Sequence, residues 1–349
     1  MFLLHHSKVV LVNVNSFRPW RDTVLSDSGK FLKLAYLSVD ANRYPSQATD
    51  LLTSRILFIA PRIKISPGNL EEPLLRVITE GKTPQLKKLT GIFAQISPQI
   101  LAGAALKVER LWANLISPQL QAILKEITAT QDHKLKELHS WNCWNDHSSI
   151  DPQFLSAALV KLETVSSNFK LSPGQILSLF SRIRDSPDLR LAELRLGYSN
   201  VSMVPPDVFA GAVSRLGSGE FLKVSADQLE VLFRKLISHQ AGPGDTKLKQ
   251  LRLWGPNLSF ISPGALVGAI QKLEVVELQL PWMTAAQFTE VLTMLKENQQ
   301  RRLKHIQILD PTVSGSWSQT LLQEAQGNNA VETTIVTDLI SYLKDLNPM

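Results

Sequence analysis

The chain of 349 residues has one cysteine, Cys143, so it cannot form an intrachain disulfide. This cysteine usage favours a reducing compartment. Long hydrophobic runs are also lacking: the apolar stretches in residues 1–16 are too short to span a membrane, and two histidines and Lys8 interrupt them. These absences predict a soluble, cytoplasmic protein that makes no membrane contact.

The sequence also lacks the glycine-rich loops that bind nucleotide phosphates. No GxxxxGK[ST] or GxGxxG motif follows a predicted strand, and the glycines of "RLGSGE" and "QAGPGD" fall in predicted turns. No cofactor is therefore expected.

Acidic residues are scarce in the first part of the chain. Residues 1–135 contain 17 Lys and Arg against 10 Asp and Glu, whereas the remaining residues contain 20 against 21, which gives a net charge of +6. The N-terminal part is therefore expected to attract anions more strongly than the rest.

Leucine, by contrast, is abundant and recurs in an LxxLxL spacing that predicts short strands. Leu248, Leu251 and Leu253 have counterparts 25 residues later, beginning at Leu273. The phrase opens at Phe31, Ile56, Leu86, Val108, Leu135, Leu162, Leu191, Leu216, Leu248, Leu273, Leu303 and Val331. A repeat of about 27 residues cannot close a core alone, so each copy must continue its neighbour's core.

Most of these phrases are followed by a helix start signal. Serine or aspartate precedes proline, and apolar residues then recur three and four positions apart, as in "ISPQLQAILKEI" from Ile116. The side-chain oxygen can accept amides of the first turn, and proline fits the first helical position. The predicted N-caps are Ser66, Ser97, Ser117, Asp151, Ser172 and Ser262.

With this pattern the sequence resembles the leucine-rich repeat proteins of the ribonuclease-inhibitor-like class, which also form the C-terminal repeats of NOD-like receptors. That class alternates two repeat types that together span about 57 residues, and here Leu135, Leu191, Leu248 and Leu303 lie 56, 57 and 55 apart. The resemblance implies an α/β horseshoe solenoid of about 12 repeats, with a parallel β-sheet on the concave face and α-helices on the convex face. It predicts a cap or divergent first repeat at 1–30, the solenoid at 31–338 and a capping helix at 339–349.

The sequence departs from the family pattern at the turn that follows each strand. The family places Asn or Cys three residues after the last strand leucine, where the side chain bonds the turn backbone. Cys143 fits, whereas Asn200 and Asn257 lie one residue late. The family's turn geometry is therefore not expected to carry over unchanged.

The best candidate for an enzyme or metal site is "HSWNCWNDH", in which His139, Cys143 and His147 are four residues apart and Asp146 is adjacent. This spacing aligns ligands on a helix, but the repeat places the segment in a strand and its turn. We interpret Cys143 as a turn residue, His139 as a residue of the concave face and His147 as exposed to solvent. Cys143 with His147 as base would lack a third orienting group, so neither catalysis nor a metal site is expected.

Residues that alternate with the strand leucines point to the opposite, concave face. Tryptophan, tyrosine and arginine occur there, which is the composition of binding hot spots. The predicted partner-binding residues are Lys88, Arg110, Trp112, Glu137, His139, Trp141, Glu193, Arg195, Tyr198, Arg252, Trp254 and Glu277.

The sequence thus predicts a non-enzymatic scaffold, monomeric on its own, that binds a protein partner on its concave face. One alternative is a sensor or regulator that binds nucleic acid or another polyanion through its basic N-terminal third, because bases stack on aromatic rings and phosphates pair with cations. Glutamates on the same face oppose this alternative. A further alternative is a detached specificity module of a receptor or ubiquitin-ligase adaptor.

Overall fold

Short apolar strands and proline-led helices alternate along the chain. The computed structural model describes residues 11–13, 36–40, 62–66, 75–76, 78–80, 86–93, 95–130, 132–140, 146–167, 170–238, 247–279, 283–297, 305–309 and 332–336. The chain divides into an N-terminal unit, Met1–Lys170, and a C-terminal unit, Leu171–Met349. Each unit is α/β, and its described strands pair in parallel, which confirms the predicted class at this level.

The N-terminal unit contributes seven described strands and three described helices. Its strands are β1 Leu11–Asn13, β2 Tyr36–Asp40, β3 Arg62–Ser66, β4 Lys88–Ile92, β5 Arg110–Asn114, β6 Glu137–Ser140 and β7 Thr164–Ser167. Its helices are α1 Pro98–Ala105, α2 Ser117–Ala129 and α3 Pro152–Leu159. Each strand pairs with the next strand along the chain.

The C-terminal unit contributes six described strands and five described α-helices. Its strands are β8 Glu193–Asn200, β9 Ser218–Leu222, β10 Gln250–Trp254, β11 Val275–Gln279, β12 His305–Leu309 and β13 Glu332–Val336. Its helices are α4 Pro173–Asp185, α5 Pro206–Val213, α6 Ala226–Ser238, α7 Pro263–Ile270 and α8 Ala285–Glu297. Strand order again follows chain order.

The predicted leucines form the core between the strands and the helices. Leu89, Leu111 and Leu138 lie side by side on β4, β5 and β6 and are fully buried. Helix residues such as Leu120 and Ile123 of α2 are equally buried. Because strand side chains alternate, the residues between the leucines lie on the face that turns away from this core.

The strand register was predicted wrongly near both ends. Ile63 of β3 aligns with Leu89, so the repeat phrase there begins after the predicted Ile56. Leu37 of β2 aligns with Ile63, which likewise displaces the phrase predicted to open at Phe31. In β13, Thr333 aligns with Ile306, which is one residue earlier than a phrase opening at Val331 requires. The strand β1, which pairs with β2, lies in the segment 1–30 that was predicted as a cap or divergent first repeat.

The helices have two lengths that alternate strictly among those described. α1, α3, α5 and α7 have 8 residues, and α2, α4, α6 and α8 have 13. The short helix α1 approaches its neighbour closely: a methyl group at Gly103 would lie 2.6 Å from Thr79 Cγ2. At Gly268 of α7 a methyl group would lie 3.3 Å from Ile237 Cδ1 of α6. This alternation agrees with the paired spacing seen in the sequence.

The predicted N-caps are correct at three positions. Asp151 accepts a hydrogen bond from the Phe154 amide at 2.7 Å, and Ser172 and Ser262 accept the corresponding amides of α4 and α7 at 3.3 Å. Ser97 occupies the N-cap position of α1, but its hydroxyl bonds Gln99 Oε1. The prediction for Ser117 is wrong, and the residues that would follow a cap at Ser66 lie outside the described ones.

Ser66 lies in β3, and Ser117 is the first residue of α2, with Ile116 at the N-cap. The Ser117 hydroxyl instead donates to the carbonyl of Asp146 and contacts His147 Nδ1. Ser117 precedes proline like the correct caps, so the local pattern alone could not separate it from them.

Buried glutamines, which the sequence reading missed, join the long helices to the preceding repeat. Gln228 Oε1 accepts the amide of Ser225, while its Nε2 donates to the carbonyls of Val201 and Val204 at 2.8 and 2.6 Å. Gln119 of α2 bonds the turn after β4 in the same way. Each glutamine therefore caps its own helix and ties that helix to the turn of the short-helix repeat before it.

Candidate partner-binding face

Five of the predicted partner-binding residues form one cluster on β4, β5 and β6. Lys88 Nζ lies 3.2 Å from the centre of the Trp112 ring, and the Trp112 and His139 rings are 4.5 Å apart at 39°. Arg110 Nε contacts Glu137 Oε1 at 2.9 Å, and Glu137 Oε2 lies 3.5 Å from His139 Nε2. The parallel register brings these side chains together, since Trp112 pairs with His139 and Arg110 with Glu137. We call this group the Trp112 cluster.

The Trp112 cluster combines an aromatic surface with cations. The Trp112 side chain is 36% exposed, and Ile92, on the same face of β4, is 45% exposed. A lysine ammonium over an indole face is attracted by the ring's quadrupole, which fixes the position of the cation. The cluster can therefore offer an apolar contact and a positive charge to one ligand.

The C-terminal unit carries a different arrangement, a row of alternating charges. Arg195, Glu220, Arg252 and Glu277 occupy one register position on β8, β9, β10 and β11. Arg252 Nε contacts Glu277 Oε1 at 2.8 Å, and Arg195 also bonds Glu193. We call these residues the charge row.

The charge row is stabilised by mutual neutralisation. Burial acts to lower the pKa of Arg252, but the hydrogen bond and charge of Glu277 outweigh it and raise this pKa above the usual arginine value. Trp254 donates its indole N–H to Glu220 at 3.3 Å. The row thus presents paired charges rather than an excess of either sign.

The structure brings the other predicted residues only partly into these two groups. Glu193 lies on the same face of β8 as Arg195, and Trp254 lies at the end of β10. Tyr198 lies within β8 where its register shifts between Leu196 and Asn200. Trp141 and Cys143 lie outside the described residues.

His147 is a correction, because it was predicted to be exposed and is fully buried. It occupies the position of the β–α turn held elsewhere by Val201 and Leu258, which are also fully buried. Burial lowers the pKa of His147 to about 4, although the charge of Asp146 acts in the opposite direction. His147 is therefore a neutral core side chain in this turn rather than a surface base.

The observed turns explain why two asparagines lie one residue later than the position at which the repeat family places Asn or Cys. Asn200 Oδ1 accepts from the Ser202 amide at 3.1 Å, and Asn257 Oδ1 accepts from the Ser259 amide at 3.2 Å. Asp146 does the same for Ser148, and these hydrogen bonds lower the pKa of Asp146. The side chain thus forms an Asx-turn at the turn surface instead of entering the core.

Sequence reasoning missed two residues at the N-terminal face. Ile92 was overlooked although it directly follows the LxxLxL phrase, as the predicted Trp254 does, and strand alternation places it on the same face as Lys88. Lys64 was overlooked because the register of β3 was predicted wrongly. Lys64 aligns with Thr90 of β4, and Thr90 in turn aligns with Trp112 of β5. Correct register would have found both.

The described residues hold neither a cluster of three metal-ligating side chains nor a helix long and apolar enough to cross a membrane. Comparison with known proteins gave no match to any protein-family model and none to a curated protein. The class of this protein therefore rests on its architecture of alternating helices and parallel strands.

Proposed function

We propose that this chain is a cytoplasmic leucine-rich repeat protein of the ribonuclease-inhibitor-like class that binds a protein partner on the strand face of a horseshoe solenoid. The alternation of 8- and 13-residue helices after successive parallel strands supports the repeat class. The Trp112 cluster carries the binding proposal, because an exposed tryptophan together with arginine is typical of binding hot spots.

Affinity capture tests this function. The full chain and a Trp112→Ala/Trp254→Ala variant would serve as baits in a cell lysate, with Lys125→Glu/Lys134→Glu as a variant altered only at exposed residues outside the strands. We expect the first variant to lose specific partners that the wild type and the control retain. If the folded tryptophan variant retains every partner, the strand face is not the binding surface.

A second candidate function is binding of nucleic acid or another polyanion. The observation that favours it is the cationic register position shared by Arg62, Lys88 and Arg110 on three neighbouring strands. Phosphate contacts release counterions, so affinity would fall steeply with salt. Binding of labelled oligouridylate that does not depend on salt concentration, or no binding at low salt, would contradict this candidate.

A further inference from the structure

The strand face of the N-terminal unit concentrates positive charge. Arg62, Lys88 and Arg110 share one register position, and Lys64 lies two residues beyond Arg62 on β3. Neighbouring strands are about 4.8 Å apart, so Lys88 and Arg110 reinforce one another's potential, and the sequence of β3 adds two further cationic residues. Glu137 is the one acidic residue within the described strands β3–β6. Carboxylates of a partner would therefore be attracted to this face.

The same face also presents an apolar contact. Ile92 and Trp112 are 45% and 36% exposed, and Lys88 borders them. An isolated cationic patch would suit any anion, whereas this combination favours a ligand that carries both carboxylates and an apolar side chain. Acidic protein segments with an aliphatic or aromatic residue have this chemistry.

The geometry of Trp112 disfavours a nucleic acid at this position. Nucleobases stack on an open aromatic face. Lys88, from one neighbouring strand, covers the Trp112 ring, and His139, from the other, packs against it. The ring is thus available mainly at its edge, which suits an aliphatic or aromatic side chain better than a stacked base.

The C-terminal unit does not offer the same attraction. In the charge row every guanidinium has a carboxylate beside it, as Arg252 has Glu277 and Arg195 has Glu193, whereas the strands β3–β6 carry four cationic residues against one carboxylate, that of Glu137 beside Arg110. An acidic segment would meet carboxylates there as often as cations. Charge complementarity therefore directs an acidic ligand to the N-terminal face.

We infer that the strand face of β3–β6 binds an acidic segment of the partner protein, with carboxylates near Lys88 and Arg110 and an apolar side chain against Trp112 and Ile92. This inference rests on the proposed protein-binding function, to which it adds the chemistry of the partner. It also assigns the contact to one of the two units.

A peptide selection tests the inference. Random dodecapeptides displayed on phage would be selected against the full chain, and the enriched sequences would be synthesised. We expect them to be rich in Asp and Glu around an aliphatic or aromatic residue. Their affinity should fall about tenfold or more for Lys88→Glu/Arg110→Glu, because a contact with a carboxylate becomes a repulsion. Lys125→Glu/Lys134→Glu, which changes the net charge equally at exposed residues, should stay within about twofold.

A neutral variant distinguishes a loss of binding from a loss of folding. Lys88→Met/Arg110→Met should also lose affinity while it keeps the circular dichroism and thermal transition of the wild type. Enrichment of basic or uncharged peptides, or equal affinity for wild type and the folded charge variants, would overturn the inference and leave protein binding intact. Failure to enrich any peptide would also overturn it, and salt-dependent oligouridylate binding lost in Lys88→Glu/Arg110→Glu would assign the face to nucleic acid.

Discussion

At the scale of single residues, His147 couples folding to pH. Its pKa falls from an ordinary 6.5 to about 4 on burial, so the unfolded chain binds a proton that the folded chain does not bind. Stability from this residue is complete above pH 6.5 and is lost as the pH falls from 6.5 towards 4. The full difference corresponds to about 3 kcal/mol.

The variant His147→Leu should remove this part of the pH dependence. Leucine already fills the equivalent position at Leu258. Urea unfolding of wild type and variant at pH 7.5 and pH 4.5 measures the effect: the loss of stability between the two values should be smaller in the variant. An equal loss in both proteins would show that His147 is not buried in the neutral form.

Gly219 and Phe221 of β9 also allow a prediction at the scale of single residues, because their side-chain positions share one space. Gly219 stands in β9 where other strands carry a large apolar residue, and a methyl group there would lie 2.5 Å from the Phe221 ring. The ring packs with Phe180 and Phe209, at centroid distances of 5.7 and 5.4 Å. Phe221 therefore fills the space that the missing side chain leaves.

Restoring the repeat pattern with Gly219→Leu should consequently destabilise the protein by about 1–3 kcal/mol through overpacking. In the double variant Gly219→Leu/Phe221→Leu the clash is relieved, so the loss should be clearly less than the sum of the single losses. Denaturant unfolding of the four proteins gives this coupling. Additive losses would mean that the two sites do not share one space.

Strand-face residues could be predicted from the sequence, whereas some buried ones could not. Lys88, Trp112 and His139 follow from the two-residue period of a strand. His147 was misplaced because histidine is usually polar and exposed, and the apolar preference of its position becomes evident only when the turns are superposed. Which face residues contact one another depends on register across strands, which sequence spacing does not fix.

At the scale of elements, a cationic side chain that follows a short helix caps the C-terminal end of the preceding long helix. Arg215, two residues after α5, donates to the carbonyls of Ile183, Arg184 and Ser186, which end α4. Lys161, two residues after α3, bonds the carbonyls of Ile127 and Thr128 at the end of α2. Such contacts satisfy carbonyls that have no partner within the helix.

Arg215→Ala should lower the free energy of unfolding by about 2 kcal/mol, because several charge-assisted hydrogen bonds are lost together. The matched control is Arg234→Ala: Arg234 pairs with Glu230 on the exposed surface of α6, a contact worth about 0.5 kcal/mol. Thermal and urea unfolding of both variants compares the two. A loss for Arg215→Ala no larger than that of the control would contradict the capping role.

Helix starts were easier to predict than strand registers. Asp151 and Ser172 combine a capping oxygen, a following proline and an apolar period, and even at Ser117, where the same signals mislead, the predicted cap is only one residue from the observed one. Near the N-terminus, apolar residues are dense enough that phrases beginning at Phe31 or a few residues later both fit the spacing. Only pairing with Ile63 of the next strand decides between them.

At the scale of the whole molecule, stability is expected to be local. Within each unit the described strands pair with their sequence neighbours, so the loss of one core side chain is felt chiefly there. Leu251→Ala in β10, at a fully packed position, should cost about 2–5 kcal/mol. Hydrogen exchange should become faster in β9, β10 and β11 and stay unchanged in β4 and β5. Equal acceleration in both regions would contradict this locality.

The alternation of short and long helices also limits how such a chain can change length in evolution. Gln228 links a long helix to the short-helix repeat before it, and Arg215 links a short-helix repeat to the long helix before it. Deleting or duplicating a single repeat would place two repeats with the same helix length next to each other. Both kinds of side chain would then lack the backbone carbonyls to which they donate. Gain or loss of two adjacent repeats, one short and one long, preserves both kinds of link. Such chains are therefore expected to change length in evolution by pairs of repeats.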